Sequence, residues 1–156
     1  MRTISLVLSL LTTGLAAGLF YTYSMSVMPG LARVGDRTFV EAMSSINKAI
    51  LNGWFAIAFG GALLFTAVAA LLHLGAGHRA ALPWIVAALV LYVAQLAVTF
   101  TVNVPLNNDL VAVNLDTGDL AAARERFEAA WVRWNVVRTL LVTGAFGAMI
   151  GAALKA

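Results

Sequence analysis

Trp131, Trp134, Asn135 and Arg138 stand at i, i+3, i+4 and i+7, so on a helix all four side chains share one face. A second polar group, Asn103-Val104-Pro105-Leu106-Asn107, closes the preceding apolar run, with Thr99 one turn before it. A guanidinium and carboxamides at membrane depth are costly unless something pairs with them, which makes them candidates for a functional site. The chemistry they offer is stabilisation of an anion. Arg138 supplies a fixed positive charge for a bound anion or a developing oxyanion, and Asn103 and Asn107 supply amide donors facing it. Trp131 and Trp134 supply an aromatic wall for flat rings. Asn47 and Asn52 flank the second apolar run on the same side, and Asn135 adds a further amide. Tyr23, with Tyr21, Ser24 and Ser26, closes the first run there and would serve as a general acid or hydrogen-bond donor. Structural readings compete with each of these. Arginine and tryptophan also suit the headgroup belt, tyrosine also anchors at the interface, and asparagine also caps helices and turns chains.

Other chemistries find little support. The chain has no cysteine, which excludes disulfides, thiolate nucleophiles and Cys-ligated metals. Met25 and Met28 offer thioethers, but no histidine lies on their side to complete a copper site, so no metal is expected. His73 and His78 are five apart, at the opposite end from the Trp/Asn/Arg group; either would be an axial haem ligand only as a minor alternative. Asp36, Glu41 and Asp109 read as loop or cap residues, and no phosphate loop, dinucleotide fingerprint or Ser/His/Asp arrangement appears. Ten basic residues scattered over loops form no patch, so nucleic acid is not an expected partner despite the net charge of +3.

The elements that must position these groups are membrane helices. With 62% hydrophobic and 11% charged residues and a mean hydropathy of +0.90, the chain is too apolar for a soluble domain, where roughly a quarter of residues are charged. Crossing a bilayer takes about 20 apolar residues. Residues 4–27, 53–74, 82–104 and 134–154 are each long enough, as continuous runs rich in Ala and Leu that do not alternate as barrel strands do. The expected fold is therefore all-α: one integral membrane domain over residues 1–156, a four-transmembrane-helix bundle. The first run exceeds the length of a signal-peptide core, so it is expected to be a membrane helix. A multi-pass location follows, in the cell membrane if the source is bacterial. Termini and the short 2–3 connection share one side with Arg2, Arg79 and Lys155; the other side holds seven basic and all seven acidic residues. A bare Lys/Arg count puts the long connections in the cytoplasm. Discounting Arg133 and Arg138 as pocket residues, and others as ion-paired, turns the expectation to cytoplasmic termini.

The long connections show helical patterning. Pro29 and Gly30 are expected to end the first helix, and Thr38-Phe-Val-Glu41 reads as a capping box for the next. Phe39, Met43, Ile46 and Ile50 then recur at helical spacing and lead into the second span past Asn52-Gly53. Thr117-Gly118-Asp119 reads as a start for the fourth, with Arg124, Glu125 and Glu128 on its solvent face. Helices 2 and 4 are thus expected to extend beyond the bilayer on one side. Pro105 should end the third span and leave residues 105–118 as an irregular loop or lid. Gly14-x3-Gly18 and Gly147-x3-Gly151 supply small-residue seams for pairing the first and fourth helices, or for homo-oligomer contacts.

One family combines these features. The order Tyr21-Thr-Tyr-Ser, Met28-Pro-Gly-Leu31, Ala42-Met43, Ile46-Asn47, Asn52, Phe55, Asn103-Val-Pro-Leu-Asn107 and Trp131-x2-Trp134-Asn135-x2-Arg138-Thr139 resembles the anthrone oxygenase-like family of small four-helix membrane proteins. The resemblance implies oxidation of a flat, lipophilic phenolic or anthrone-type substrate by molecular oxygen. It raises Arg138, Asn103, Asn107, Trp134 and Asn135 as site residues. An anthrone loses a proton to give an aromatic phenolate, so chemistry without a cofactor is the favoured expectation. Lipid and a lipophilic small molecule are the expected partners. Two other classes stay open: a module that binds or transports a quinone- or lipid-like molecule without turnover, and a structural helix bundle.

Overall fold

Apolar runs of this length can satisfy their backbone groups in lipid only by forming helices or closed barrels, and helices are what form. The computed structural model describes residues 1–75 and 79–156; His78 lies outside the described residues. We number the helices α1 (Arg2–Leu31), α2 (Asp36–Ala49), α3 (Gly53–Leu72), α4 (Leu82–Val111) and α5 (Leu120–Ala153). There is no strand among the described residues. Four of the five, all but α2, are long and apolar enough to cross a membrane. At 1.5 Å per residue, α3 is about 30 Å long, matching a hydrocarbon core, and α5 about 51 Å, well beyond one.

What faces outward supports a membrane protein. Ile4, Leu11 and Leu15 of α1, Ile57, Leu64 and Leu71 of α3, Val90 and Phe100 of α4, and Leu140 of α5 are all exposed. In water these would form a large apolar patch, whereas lipid tails match them. α1 packs against α3 and α5, and α4 against α5 and α3. α2 lies across α5 and the last turns of α4, covering one end of the bundle. We call this the cap end; the terminal end, where Arg2 Nε donates to Leu72 O at 2.8 Å, is the other.

Neither proline ends its helix. α1 runs through Pro29 and α4 through Pro105, so the irregular loop expected from residue 105 begins only after Val111. The reason is the same in both. A wide π-turn, Tyr23–Val27 in α1 and Thr99–Asn103 in α4, precedes each proline. Met28 N–H bonds Tyr23 O and Val104 N–H bonds Thr99 O, five residues back. The α-helix restarts there, and each proline falls in its first turn, where a missing N–H costs nothing.

The second extension is not continuous. α2 and α3 are separated at residues 50–52, where Asn52 Nδ2 donates to Ala49 O at 2.8 Å and its Oδ1 accepts from Phe55 N at 3.1 Å. One side chain thus closes α2 and opens α3. α5 does run unbroken from the cap end, with Asp119 Oδ1 capping Ala122 N at 3.0 Å as its expected start. The capping box at Thr38 does not form, because α2 begins earlier, with Gly35 extended before Asp36. The glycine seams divide. A Cβ on Gly14 would meet Phe146 of α5 at 3.1 Å, and one on Gly151 would meet the Trp84 ring of α4 at 2.7 Å, while Gly18 and Gly147 face open space.

Candidate functional site

Two apolar cores fill the bundle, and a polar layer separates them. The core of the terminal end is built from Ala16, Ala62, Ala69, Ala88, Ala145, Ala148, Ala152 and a few larger residues such as Phe20. That of the cap end is built from Tyr23, Met28, Phe39, Met43, Phe127 and Trp131. Arg138 sits between them: its Cζ lies 4.4 Å from the centroid of Phe20 and 5.2 Å from that of Trp131. It is 5% exposed, so the snorkelling alternative does not hold. Aromatic faces on both sides stabilise a cation that lipid would not.

The amides are arranged around that charge and beside it. Arg138 Nη2 donates to Asn135 Oδ1 at 2.8 Å. Asn135 Nδ2 donates to Phe20 O at 3.1 Å and to Ser24 Oγ at 2.8 Å. Because a carbonyl oxygen only accepts, Phe20 O fixes which end of the amide faces it, and Arg138 then finds oxygen. Thr139 Oγ1 donates to Asn135 O at 2.8 Å and stands 3.5 Å from Ser24 Oγ. Asn103 and Asn107 make no hydrogen bond to Arg138; both bond Trp131. Asn107 Oδ1 accepts from the indole Nε1 at 2.7 Å, and Asn103 Nδ2 donates to Trp131 O at 3.4 Å. The faces of Trp131 are in use already, against Phe127 at 5.9 Å and Tyr23 at 5.4 Å, so this indole buttresses the layer and does not offer itself to a ligand. Three buried polar atoms of this layer, Arg138 Nε, Asn103 Oδ1 and Gln95 Nε2, make no hydrogen bond within the chain, so each calls for a water or a bound group.

The remaining candidates are dispersed. Thr99 is buried in the layer and donates to Gln95 Oε1 at 3.1 Å. Trp134 is half-buried, one step off the buried face. Asn47 sits half-buried in α2 with Nδ2 unpartnered, and Asn52 is the exposed helix cap described above. His73 is buried at the terminal end, its Nδ1 2.7 Å from Ala69 O.

Beside the polar layer, between α1 and α5, an open groove of ≈ 630 Å³ is lined by Met28, Pro29, Ala32, Ala129 and Val132, with Ser24 at one point and Glu125, Glu128 and Arg133 among its charged groups. The size suits a small molecule of several fused rings. Ser24 is both a wall of this groove and a member of the Asn135–Arg138 network. Next to it, Arg124 ties the cap end together. It donates to Glu128 Oε2 at 2.7 Å, Asp36 Oδ1 at 3.0 Å, Val34 O at 2.7 Å and Ala32 O at 3.1 Å, with its Cζ 4.6 Å from the centroid of Phe39. It is not the solvent-facing residue its helical position suggested, because the chain after α1 folds back over α5. Its guanidinium is held firmly protonated, chiefly by Glu128. Sequence reasoning missed Gln95, placed Arg124, Glu125 and Glu128 on a solvent face, and noted Ser24 only as a neighbour of Tyr23. The one available signal was the proline after each π-turn, since the shifted register is what brings both Tyr23 and Ser24 toward α5.

A family model described as anthrone oxygenase matches residues 52–148, more than half of the chain. The match takes in α3, α4 and most of α5, including Asn103, Asn107, Trp131, Asn135 and Arg138, and leaves α1 and α2 outside it. No curated protein and no solved structure matches the chain.

Proposed function

The chain belongs to the anthrone oxygenase family, and we propose that it oxidises a flat, lipophilic phenol of the anthrone type with molecular oxygen, in the groove between α1 and α5. The observation that carries this reading is a buried, uncompensated guanidinium: among the described residues Arg138 has no acid within ion-pair distance. Such a charge held in low dielectric strongly favours an anion nearby. An anthrone supplies one. Loss of a proton from its central methylene gives a phenolate, oxygen adds at that carbon, and the hydroperoxide loses water to leave the quinone. Anthrone plus O₂ thus becomes anthraquinone plus H₂O, with no external reductant. Glu125 lines the groove and enters no ion pair among the described residues, so it serves as the proton acceptor. The polar layer needs no resident cofactor for this chemistry.

The four long helices cross the membrane as a multi-pass bundle, with the groove near one face. With α3 taken as the hydrocarbon thickness, counting along α5 puts the Arg138 backbone about 8 Å inside that boundary. On the same count the groove's α5 residues, Glu125 to Arg133, lie from that boundary outward, so a lipophilic substrate would enter from the headgroup region. Openness of the groove supports a second reading, capture of such a molecule without turnover. Purified protein in detergent, given 1,8-dihydroxyanthrone under air, should form quinone and consume oxygen in equal amounts, above the rate in heat-denatured protein. Binding with no such excess would favour mere capture, and neither binding nor turnover would remove the reading.

A further inference from the structure

We infer that Ser24 is the residue that touches the substrate's developing oxyanion, and that Arg138 acts on it through Asn135. The inference rests on the functional reading above and names the contact atom within that site. Arg138 does not line the groove, and Ser24 does. Between them runs a chain of hydrogen bonds whose direction is fixed at each link. The guanidinium donates to Asn135 Oδ1 at 2.8 Å, and Asn135 Nδ2 donates to Ser24 Oγ at 2.8 Å. The amide cannot be reversed, since its nitrogen also donates to the carbonyl of Phe20 at 3.1 Å. Ser24 Oγ is therefore an acceptor on its inner side, and its own hydrogen is left for a donation elsewhere.

That hydrogen has a poor choice inside the protein. Thr139 Oγ1 is 3.5 Å away, at the far limit of a hydrogen bond, and already gives its own hydrogen to Asn135 O. The groove is the remaining direction. Hydrogen bonds in series polarise one another, more so in a low-dielectric interior, so the positive charge strengthens Ser24 as a donor without entering the groove. A ligand that fits combines an apolar ring system, for the walls of Met28, Pro29, Ala129 and Val132, with one ionisable oxygen for Ser24. A phenolate or enolate meets both demands, and a neutral hydrocarbon meets only the first. The π-turn at Tyr23–Val27 makes the contact possible. It widens α1 where Tyr23 packs on Trp131 and the next residue, Ser24, reaches Asn135.

The probe is 1,8-dihydroxyanthraquinone, whose phenol changes colour on ionisation. The bound dye is titrated against pH in detergent with wild type, Ser24→Ala and Ser24→Thr, alongside thermal unfolding and turnover of 1,8-dihydroxyanthrone. Wild type should ionise the bound dye at lower pH than empty micelles do. Ser24→Ala should weaken the preference for the anion about tenfold, the scale of a hydrogen bond to a charged group. Ser24→Thr, which keeps the hydroxyl, should restore most of it. The inference is overturned if folded Ser24→Ala ionises the dye as wild type does. It is overturned too, whatever the variants do, if wild type ionises the bound dye no more readily than micelles. Turnover by wild type and Ser24→Ala alike would reject the Ser24 contact and leave the oxygenase reading standing. A wild type that neither binds the dye nor oxidises the anthrone would remove both.

Discussion

The two ends of the bundle solve different problems with the same four helices. Toward the terminal end, alanines and glycines let backbones approach, and hydroxyls fill the gaps. Ser9 of α1 meets Thr66 of α3 through a hydrogen bond, Gly61 lies against Thr12, and Gly151 lies against the ring of Trp84. Among the described residues, no Lys, Arg, Asp or Glu is buried there. At the cap end, aromatic rings set the helices apart, and the space holds a buried arginine, two buried threonines and two buried asparagines, the asparagines bound to partners far away in sequence. The lesson is that close packing and polar function are kept in separate layers. Small residues hold the helices where nothing happens, so that the cap end can tolerate wide turns and unpartnered polar atoms.

That division can be broken from either side. The largest loss of stability is expected from Trp131→Ala. The indole is buried, donates to Asn107, and packs on Tyr23, Phe127 and Arg138, so its removal should cost about 3–5 kcal/mol, seen as a fall in unfolding temperature together with loss of turnover. Gly151→Val comes next. Its Cβ would lie 2.7 Å from the rigid Trp84 ring, and overpacking of that kind costs about 1–3 kcal/mol, yet turnover per folded molecule should hold because the defect is at the terminal end. Arg124→Ala should cost about 1 kcal/mol, because it removes the donor to Asp36 and the carbonyls of Val34 and Ala32 where water can partly replace it. It should also release α2, read as faster proteolysis between Leu31 and Asp36 with little change in the rest. Thr66→Val is the mildest, about 0.6 kcal/mol for one interhelical hydroxyl bond, with activity unchanged. Were Gly151→Val or Thr66→Val to abolish turnover while remaining folded, the separation of layers would be wrong.

Sequence revealed the terminal end more fully than the cap end, for physical reasons. Four apolar runs fix four long helices by length and composition, and the surface leucines only restate that pattern. The face carrying Trp131, Asn135 and Arg138 was legible too, because a straight α-helix obeys its period, and these three residues are buried together. Two features broke the period. The π-turns at Tyr23–Val27 and Thr99–Asn103 carry their helices past Pro29 and Pro105, where a proline reads as a stop. They also shift which residues face inward, which hid the contact of Ser24 with Asn135. Partnering was the other gap. Asn103 and Asn107 are polar groups at the right depth, but only the fold shows that they bond the backbone carbonyl and the indole of Trp131, while the guanidinium bonds Asn135. Asn52, equally polar, closes one helix and starts another.

The claim on which the account turns is that the guanidinium between the two cores exists to favour an anion. Arg138→Gln removes the charge and leaves a shorter, neutral polar side chain in its place, so the rate of quinone formation from 1,8-dihydroxyanthrone by this variant in detergent is the direct measurement. We expect it to fall by about a hundredfold or more, the scale for losing one charge-stabilising group, with the protein still folded. Turnover equal to wild type in the folded variant would contradict the account.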